Sequence, residues 1–274
     1  MNETLRVAAV QLSSTEDVDR NLRSCATAVA EARRADARMV VLPENFAYFG
    51  DAAGRQNLAE PGNGDRGKIG RALAEMAKGS QVWLLAGGWP EVGPDPLRPF
   101  NSATLIDPEG HARANYRKIH LFDAFLDDGP VLEESRTTSR GDDVVTADVD
   151  GFCVGLSICY DLRFPELYRA MVARGAEIFA IPSAFTRETG VDHWRVLLRA
   201  RAIESQCWVV AANQCGTHPG GRSTFGHSAI VDPWGVVVAE ASDEEGWIIA
   251  DLDRLRLKQV RRKLPCLQHR RLST

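Results

Sequence analysis

The sequence alternates between two hydrophobic patterns, one typical of buried strands and the other of amphipathic helices. Residues 5–12 form a mostly apolar run, and apolar residues then recur at helical spacing at positions 18, 22, 25, 29 and 32. Side chains of a strand alternate between two faces, whereas a helix repeats every 3.6 residues or so. The first segment therefore predicts a strand and the second a helix that packs on a sheet. The same alternation continues along the chain and indicates the α/β class of fold.

The remaining predicted elements follow the same two patterns. Further strands are expected at residues 39–42, 81–86, 102–106, 112–116, 144–148, 152–158, 177–181, 208–212, 229–231, 236–240 and 247–251. Further helices are expected around residues 69–76, 165–174 and 193–205. The pair Asp150-Gly151 is typical of a β-hairpin turn. The Pro- and Gly-rich residues 88–99 are expected to form a loop.

Three of the predicted strands end next to chemically reactive side chains. Glu44, Lys118 and Cys159 each lie just beyond the end of one such strand. The segment after Cys159 has the signals of a helix start, and backbone N–H groups at such a turn can face a developing negative charge. A carboxylate can accept the proton of a thiol, and an ammonium group can favour the thiolate. The three side chains together are therefore suited to nucleophilic catalysis.

Each of these side chains also has a purely structural interpretation. Free cysteine is among the most buried residue types, so Cys159 could be a core thiol. Glu44 could cap a helix, and Lys118 could be one more solvated charge. The spacing along the chain leaves open whether the three residues meet in space.

The segments that contain these residues resemble the three signature blocks of the nitrilase superfamily of carbon–nitrogen hydrolases. The blocks are Leu42-Pro43-Glu44, Tyr116-Arg117-Lys118-Ile119-His120 and Ile158-Cys159-Tyr160-Asp161. In that family the glutamate, the lysine and the cysteine form a catalytic triad, and the resemblance runs from about residue 6 to residue 271. It implies a four-layer α-β-β-α sandwich, which we expect to be a single domain over residues 1–274. It also implies a homodimer or a higher homo-oligomer.

Further segments are similar to one branch of the superfamily, the deaminated glutathione amidases, and to the related omega-amidases. Among them are Ser183-Ala184-Phe185-Thr186 and the tail Gln268-His269-Arg270-Arg271. This likeness implies an amidase for a small 2-oxo acid amide. Deaminated glutathione is the first candidate substrate, and 2-oxoglutaramate is the alternative.

The resemblance implies hydrolysis through a thioester and without a cofactor. Glu44 takes the proton of Cys159, whose thiolate attacks the amide carbon, and ammonia leaves. Lys118 and the backbone N–H of Tyr160 stabilise the oxyanion. A second glutamate in the loop after the lysine positions the water that releases the acid, and Glu134 is favoured over its neighbour Glu133 for this role.

The loop around residues 127–134 departs from the family pattern. Asp127-Asp128 and the additional glutamate at position 133 are not expected there. The family resemblance therefore does not determine the shape of this loop.

The carboxylates of a 2-oxo acid amide are expected to meet a guanidinium group in the pocket. Arg163, which follows the nucleophile closely, is the first candidate for this role, and an ion pair with Glu166 is its structural alternative. By resemblance, Tyr48, Phe185 and Thr186 are further substrate-binding candidates.

Three other functions remain open at the level of the sequence. A nitrilase or an N-carbamoyl amidohydrolase would use the same triad with a different pocket. A thiol hydrolase of the protease type would place His120, His193 or His227 against Cys159 and would not need Glu44. A non-catalytic binding or scaffold protein would have no need of all three reactive side chains.

Composition and charge restrict the classes of protein, partner and compartment that are expected for this chain. The 274 residues are 44% hydrophobic and 26% charged, which is typical of a globular protein. The net charge of −4 offers no electrostatic basis for binding nucleic acid, and the basic tail after residue 253 is expected to be solvated or packed on a partner subunit. No apolar run approaches the roughly 20 residues that span a membrane. The six cysteines form no CxxC pair, and the histidines show no metal-ligand spacing, so we expect a cytoplasmic chain with reduced thiols and no metal.

Overall fold

In the computed structural model, which describes residues 3–62, 67–124 and 132–272, the chain forms two six-stranded β-sheets and two short ribbons. From edge to edge the first sheet contains Gly246–Asp253 (β16), Thr4–Gln11 (β1), Met39–Leu42 (β2), Trp83–Asp95 (β3), Arg98–Ile106 (β4) and Ala112–Arg117 (β5). The second sheet contains Val237–Glu240 (β15), Ala229–Val231 (β14), Trp208–Ala211 (β11), Ile178–Ala180 (β10), Phe152–Leu156 (β9) and Thr146–Val149 (β8). The ribbons pair Asp123–Ala124 (β6) with Leu132–Glu133 (β7) and Cys215–Thr217 (β12) with Ser223–Phe225 (β13).

Both large sheets have the same order of strand directions. Three neighbouring strands are parallel in each, β1, β2 and β3 in the first sheet and β9, β10 and β11 in the second. The strands beyond them on either side join in antiparallel pairs. Parallel strands bring their carboxyl ends to one edge of a sheet, which is where ligands bind in α/β proteins.

Helices cover the outer face of each sheet. The α-helices are Val18–Arg34 (α1), Ala52–Asn57 (α2), Lys68–Ser80 (α3), Glu134–Thr137 (α4), Pro165–Ala173 (α5), Arg187–Ser205 (α6) and Arg254–Lys263 (α7). Apolar residues of α1 and α3 pack on the first sheet, and those of α5 and α6 pack on the second. The resulting α-β-β-α order of layers confirms the sandwich that the family resemblance implies. None of the helices in the described ranges has the length and apolar character that a membrane crossing requires.

The alternation of side chains along β1 shows how the layers share one strand. Leu5, Val7 and Ala9 face the core between the two sheets, whereas Ala8 and Val10 face the helix layer of α1 and α3. Both faces are buried, so a central strand appears in the sequence as a continuous apolar run rather than as an alternation of apolar and polar residues.

Most of the predicted elements are confirmed with bounds shifted by a few residues. β2 has the bounds that the sequence predicts, whereas α6 begins six residues earlier than expected, at Arg187. The hairpin at Asp150-Gly151 is also confirmed, with φ angles of 51° and 89° at its two central residues. Positive φ at both residues is the conformation of a type I′ turn, one of the two usual two-residue hairpin turns.

The prediction of a loop at residues 88–99 is wrong. β3 continues to Asp95, and β4 begins at Arg98, with Pro90 opposite Asn101 in the pairing. β2 pairs with β3 only as far as Ala86. Beyond that point the same side of β3 meets the isolated bridge of Glu60 to Glu91 instead of a full strand, so the missing N–H of Pro90 costs no ladder hydrogen bond. The Pro and Gly residues thus mark an irregular edge strand rather than a loop.

The expectation of a solvated or partner-bound basic tail is wrong for its first part. These residues form α7, three of whose arginines bind within the same chain. Arg254 lies 3.0 Å from Glu177, and Arg256 lies 2.7 Å from Asp232. Arg261 donates a hydrogen bond of 3.1 Å to the carbonyl of Gln206. α7 thus joins the end of the chain to the second sheet through charge-assisted contacts.

Candidate active site

Glu44, Lys118 and Cys159 meet in one cavity between the ends of the two sheets. Glu44 follows β2, Lys118 follows β5, and Cys159 lies beyond the end of β9. All three line a cavity of about 420 Å³. Two of the three come from the first sheet and one from the second, so the site exists only because the two sheets pack face to face.

The backbone of Cys159 has a left-handed conformation, which is unfavourable for a residue that carries a side chain. The φ angle of Cys159 is +47°, in the left-handed region that side chains other than glycine rarely adopt. Its backbone N–H donates to the carbonyl of Pro182 over 2.8 Å. The 3-10 helix Cys159–Arg163 follows directly. Strain of this kind costs of the order of 1–3 kcal/mol and is common at active sites.

Asp161 fixes this turn against the first sheet. Its buried carboxylate accepts hydrogen bonds from the hydroxyl of Tyr116 at 2.7 Å and from the backbone N–H groups of Ile158 at 2.8 Å and His120 at 3.1 Å. The His120 ring also lies 2.7 Å from Asp161 through Nδ1 and stacks on Phe164. These contacts connect the block that contains Lys118 to the block that contains Cys159.

Lys118 lies between two carboxylates. Its Nζ is 3.0 Å from Oε1 of Glu44 and 2.8 Å from Oε2 of Glu134. Burial of Lys118 opposes its positive charge, but the charges of Glu134 and Glu44 outweigh this effect and raise the pKa of Lys118. Lys118 is therefore a permanent cation at the base of the cavity.

Glu134, the favoured candidate for the loop glutamate, contacts Lys118 in the cavity. It accepts a hydrogen bond of 2.7 Å from the backbone N–H of Phe122 besides the contact with Lys118. Burial acts to raise the pKa of Glu134, but the charge and hydrogen bond of Lys118 outweigh burial and lower it. Glu133 also lines the cavity, but it pairs with Arg136 at 2.8 Å. Asp127 and Asp128, which depart from the family pattern, lie outside the described residues.

Asn101 on β4 bridges the two carboxylates, and sequence reasoning missed it. Its Nδ2 donates to Oε1 of Glu44 at 2.8 Å and to Oε1 of Glu134 at 3.1 Å. A Cβ at Gly88 would lie 1.8 Å from Oδ1 of Asn101, so glycine at that position leaves room for the amide. The available signal was a run of polar residues inside a strand that is otherwise apolar.

Burial and the neighbouring Glu44 carboxylate keep the thiol of Cys159 protonated at neutral pH. Burial raises the pKa of Cys159 well above its usual range, and the Glu44 carboxylate raises it further. The charge of Lys118 and the backbone N–H of Ala184 act in the opposite direction but do not outweigh these effects. The same Ala184 N–H donates to Oε2 of Glu44 over 3.0 Å. A nucleophilic role for this sulfur would therefore require that its proton be removed, and Glu44 is an adjacent acceptor.

The substrate-binding candidates fall into two groups. Tyr48 and Thr186 line the cavity, whereas Tyr160, Arg163 and Phe185 lie beside it without being part of its lining. The ring of Tyr160 packs 4.9 Å from that of Phe122.

Arg163 packs against aromatic rings next to the turn at Cys159. Its guanidinium lies 5.1 Å from the ring centroid of Phe185 and 5.8 Å from that of Tyr160. It donates a hydrogen bond of 3.1 Å to Nδ1 of His193. His193 is thus its partner in place of the Glu166 of the alternative interpretation.

The histidines stand apart from the reactive side chains. All six lie in the described part of the chain, and none lines the cavity. His120 contacts Asp161, His193 contacts Arg163, and His227 contacts Glu240. This geometry does not support a thiol–imidazole pair of the protease type. Across the described ranges, no three or more His, Cys, Asp or Glu side chains are grouped so that they could hold a metal ion.

Two arginines in the cavity lining were also missed. Arg55 on α2 and Arg222 just before β13 both contribute to the wall that Cys159 shares. Neither lies in an apolar periodic segment or next to a recognised block, so no local pattern marks them.

Comparison with known proteins agrees with this geometry. The carbon–nitrogen hydrolase family model matches residues 6–262. The chain is 44% identical over 267 residues to a deaminated glutathione amidase of Synechocystis, covering 96% of this chain and 97% of that protein. It is 43% identical to the human deaminated glutathione amidase over 97% of this chain and 82% of that one. Among solved structures, Saccharomyces cerevisiae Nit3, a member of branch 10 of the nitrilase superfamily, superposes with a TM-score of 0.88 at 31% identity, covering 99% of this chain and 98% of the other. The chain therefore belongs to the carbon–nitrogen hydrolase family, within the nitrilase superfamily, and is an enzyme that hydrolyses carbon–nitrogen bonds.

Proposed function

We propose that this enzyme is an amidase for a small carboxylated amide of a 2-oxo acid, with deaminated glutathione as its substrate. The observation that carries the proposal is the contact of Lys118 with both Glu44 and Glu134 in the cavity that Cys159 lines. The relatives named deaminated glutathione amidase, at 44% and 43% identity, support this choice of substrate. An omega-amidase that acts on 2-oxoglutaramate is the alternative, because both substrates share the 2-oxo acid half.

The reaction begins with attack of the Cys159 sulfur on the amide carbonyl carbon. Glu44 accepts the thiol proton as the S–C bond forms, which avoids a free thiolate beside two carboxylates. The carbonyl oxygen becomes an oxyanion, which the ammonium of Lys118 and the backbone N–H of Tyr160 stabilise. Preorganised donors of this kind contribute about 10²–10³ in rate for each donor.

The C–N bond then breaks as Glu44 returns the proton to the leaving nitrogen. A primary amide such as 2-oxoglutaramate releases ammonia, which is the product expected from the sequence. Deaminated glutathione releases the dipeptide cysteinylglycine instead, because its scissile amide joins that dipeptide to the 2-oxoglutaryl unit. In both cases the enzyme carries the acid half as a thioester on Cys159.

Water completes the cycle. Glu44 takes a proton from the attacking water, the S–C bond of the thioester breaks, and Cys159 regains a proton as the acid leaves. Glu134 holds Lys118 and positions the water. Every proton is exchanged within the cluster, so no cofactor or metal enters the scheme.

For the acid half we propose a binding site beside the nucleophile turn. Arg163 binds the 2-oxo acid carboxylate after its guanidinium leaves His193, and Phe185 forms the apolar side of this site. Tyr48 and Thr186, which line the cavity, contact the substrate directly.

We also propose that residues 1–274 act as one domain in a homo-oligomer, in the cytoplasm, without nucleic-acid or membrane partners. One domain is supported by the site itself, because its side chains come from both sheets. An oligomer is supported by apolar side chains exposed on α6, namely Val191, Val196 and Ile203. Six free cysteines in the structure are compatible with a reducing compartment.

A substrate panel tests the proposed function. Deaminated glutathione, 2-oxoglutaramate, a carbamoyl amino acid and a nitrile are compared by kcat/KM, with release of the acid product measured. Deaminated glutathione should be preferred, and Cys159→Ala should fold normally and release no acid. Cys153→Ala, a half-buried cysteine outside the cavity lining, is the matched control and should retain activity. A preference for the nitrile or the carbamoyl compound would contradict the proposed substrate class.

A further inference from the structure

The cavity contains two cationic side chains that the proposed mechanism does not use. Arg55 and Arg222 line it together with Cys159. Within the described ranges, neither guanidinium has a carboxylate within ion-pair distance. Arg55 donates through Nη1 to Oδ1 of Asn45 at 2.7 Å, but its Nη2 is shielded from solvent and has no hydrogen-bond partner. A buried donor without an acceptor is costly, so the Arg55 side chain gains if it shifts to bring this donor to an acceptor in the cavity.

Arg222 adds a second positive charge to the same wall. Its Nη2 donates to the carbonyl of Gly50 at 3.2 Å, and its guanidinium lies 5.6 Å from the ring centroid of Phe49. Burial lowers the pKa of Arg222, and the charge of Arg55 lowers it further, whereas the charge of Glu134 raises it without outweighing these two effects. The two guanidinium groups therefore repel each other, and an anion between them would relieve this repulsion.

The wall that carries Arg222 is rigid. His218 stacks on Phe49 with ring centroids 3.8 Å apart. Its Nδ1–H donates to the carbonyl of Ser14 at 2.9 Å, and its Nε2 accepts from the hydroxyl of Thr224 at 2.7 Å. Burial lowers the pKa of His218, so this ring is neutral and keeps both bonds at neutral pH. The wall is thus preorganised before a ligand arrives.

The acidic side chains near the cavity are engaged elsewhere. Glu44 and Glu134 bind Lys118, and Glu133 binds Arg136. Asp51 accepts hydrogen bonds from the backbone N–H of Gly54 and from the hydroxyl of Tyr48. The charge of Glu134 reaches Arg222 through space, but none of these carboxylates pairs directly with either arginine, so an anionic ligand can take that place.

We propose that Arg55 and Arg222 bind a carboxylate on the amine half of the substrate, the half that leaves. This inference rests on the proposed function, in which Arg163 holds the acid half. It assigns the carboxylate of the leaving half, which cysteinylglycine carries, to these two arginines. An amide with a carboxylate at each end would then be held on both sides of its scissile bond, and a volume of about 420 Å³ is enough for a ligand of that size.

The experiment compares three amides of 2-oxoglutarate with the same acid half. They are the glycine amide, the glycinamide amide, which lacks only the terminal charge, and the primary amide. Arg55→Met and Arg222→Met should each lower kcat/KM for the glycine amide about 10- to 100-fold, mainly through KM, because each removes a charge-assisted hydrogen bond. The loss should be no more than a few-fold for the other two amides. Arg33→Met, a change at the end of α1, is the matched control.

Two results would overturn the proposal. One is an equal loss for all three amides, and the other is no loss for the glycine amide. Arg55→Lys and Arg222→Lys, which keep the charge, should show a smaller loss, and melting curves identify any variant that fails to fold.

A binding measurement separates this proposal from the proposed function. Calorimetry with Cys159→Ala measures binding of cysteinylglycine, and adding Arg222→Met should weaken this binding about 10-fold or more. If the wild type hydrolyses none of the amides but binds the dipeptide in an Arg222-dependent manner, the proposed function fails and the carboxylate site stands. If it hydrolyses all three amides and dipeptide binding is independent of Arg222, the carboxylate site fails alone.

Discussion

The hydroxyl of Tyr116 donates a 2.7 Å hydrogen bond to the fully buried carboxylate of Asp161. Tyr116 belongs to β5 of the first sheet, and Asp161 belongs to the turn that follows β9 of the second. This single bond therefore connects the two sheets directly beside Lys118 and Cys159. Because the acceptor is charged and buried, we expect the bond to matter both for folding and for the placement of the nucleophile.

Tyr116→Phe should lower the free energy of unfolding by about 1.5–3 kcal/mol, the range for a hydrogen bond to a charged group. Tyr168→Phe is the matched control, because its hydroxyl bonds to the uncharged Ser157 at 3.0 Å and should cost about 0.5–1.5 kcal/mol. Urea denaturation of both variants measures the difference. An equal or larger loss in Tyr168→Phe would contradict the expectation that the hydrogen bond to the charged Asp161 stabilises the fold more.

The pKa of Cys159 should move in opposite directions when its two charged neighbours are neutralised. The carboxylate of Glu44 raises this pKa and the ammonium of Lys118 lowers it. Glu44→Gln should therefore lower the pKa of Cys159, and Lys118→Met should raise it further. The rate of alkylation as a function of pH, corrected for labelling of Cys159→Ala, reports the two midpoints.

In these two variants, the rate of turnover should not rise or fall with the fraction of Cys159 that is present as thiolate. Both variants should lose activity by orders of magnitude, because in the proposed mechanism Glu44 protonates the leaving amine and Lys118 stabilises the oxyanion. A Glu44→Gln enzyme that has more thiolate and still turns over near the wild-type rate would remove Glu44 from the mechanism.

The three reactive side chains of the site were predictable because the sequence signals that mark them are local. A strand that ends at a reactive side chain appears in the sequence as an apolar run followed by Glu44, Lys118 or Cys159. The left-handed turn at Cys159 and the carboxyl edge of the parallel strands then bring these residues to one place. Their contact in space required the packing of two sheets, which no local period encodes.

The features that were missed depend on contacts between distant segments. Asn101 lies 57 positions from Glu44, to which it donates a hydrogen bond. Arg55 and Arg222 reach the same cavity from a short helix and from a turn that have no apolar period. The edge position of Pro90 is likewise a property of the assembled sheet, because it depends on where β2 ends.

Glu134 should support turnover more than folding. Its contacts with Lys118 and the N–H of Phe122 hold the base of the cavity, so Glu134→Gln should lower kcat by about 10- to 1,000-fold with little change in melting temperature. Glu133→Gln removes only a partly exposed ion pair with Arg136 and should change kcat much less. Steady-state kinetics and thermal melts of the two variants provide the test. If their effects are interchanged, Glu133 rather than Glu134 is the loop glutamate of the reaction.

Arg163 gives the last test, because the structure places it beside the cavity rather than in its lining. If its guanidinium leaves His193 to bind the 2-oxo acid carboxylate, Arg163→Met should raise KM for 2-oxoglutaramate about 10- to 100-fold. A neutral amide of similar size should lose much less. His193→Ala removes the competing acceptor without removing the guanidinium, so it should leave KM for 2-oxoglutaramate unchanged or lower it. An equal loss for charged and neutral amides in Arg163→Met would assign the residue to packing against Phe185 and Tyr160, and the acid half would then require a different anchor.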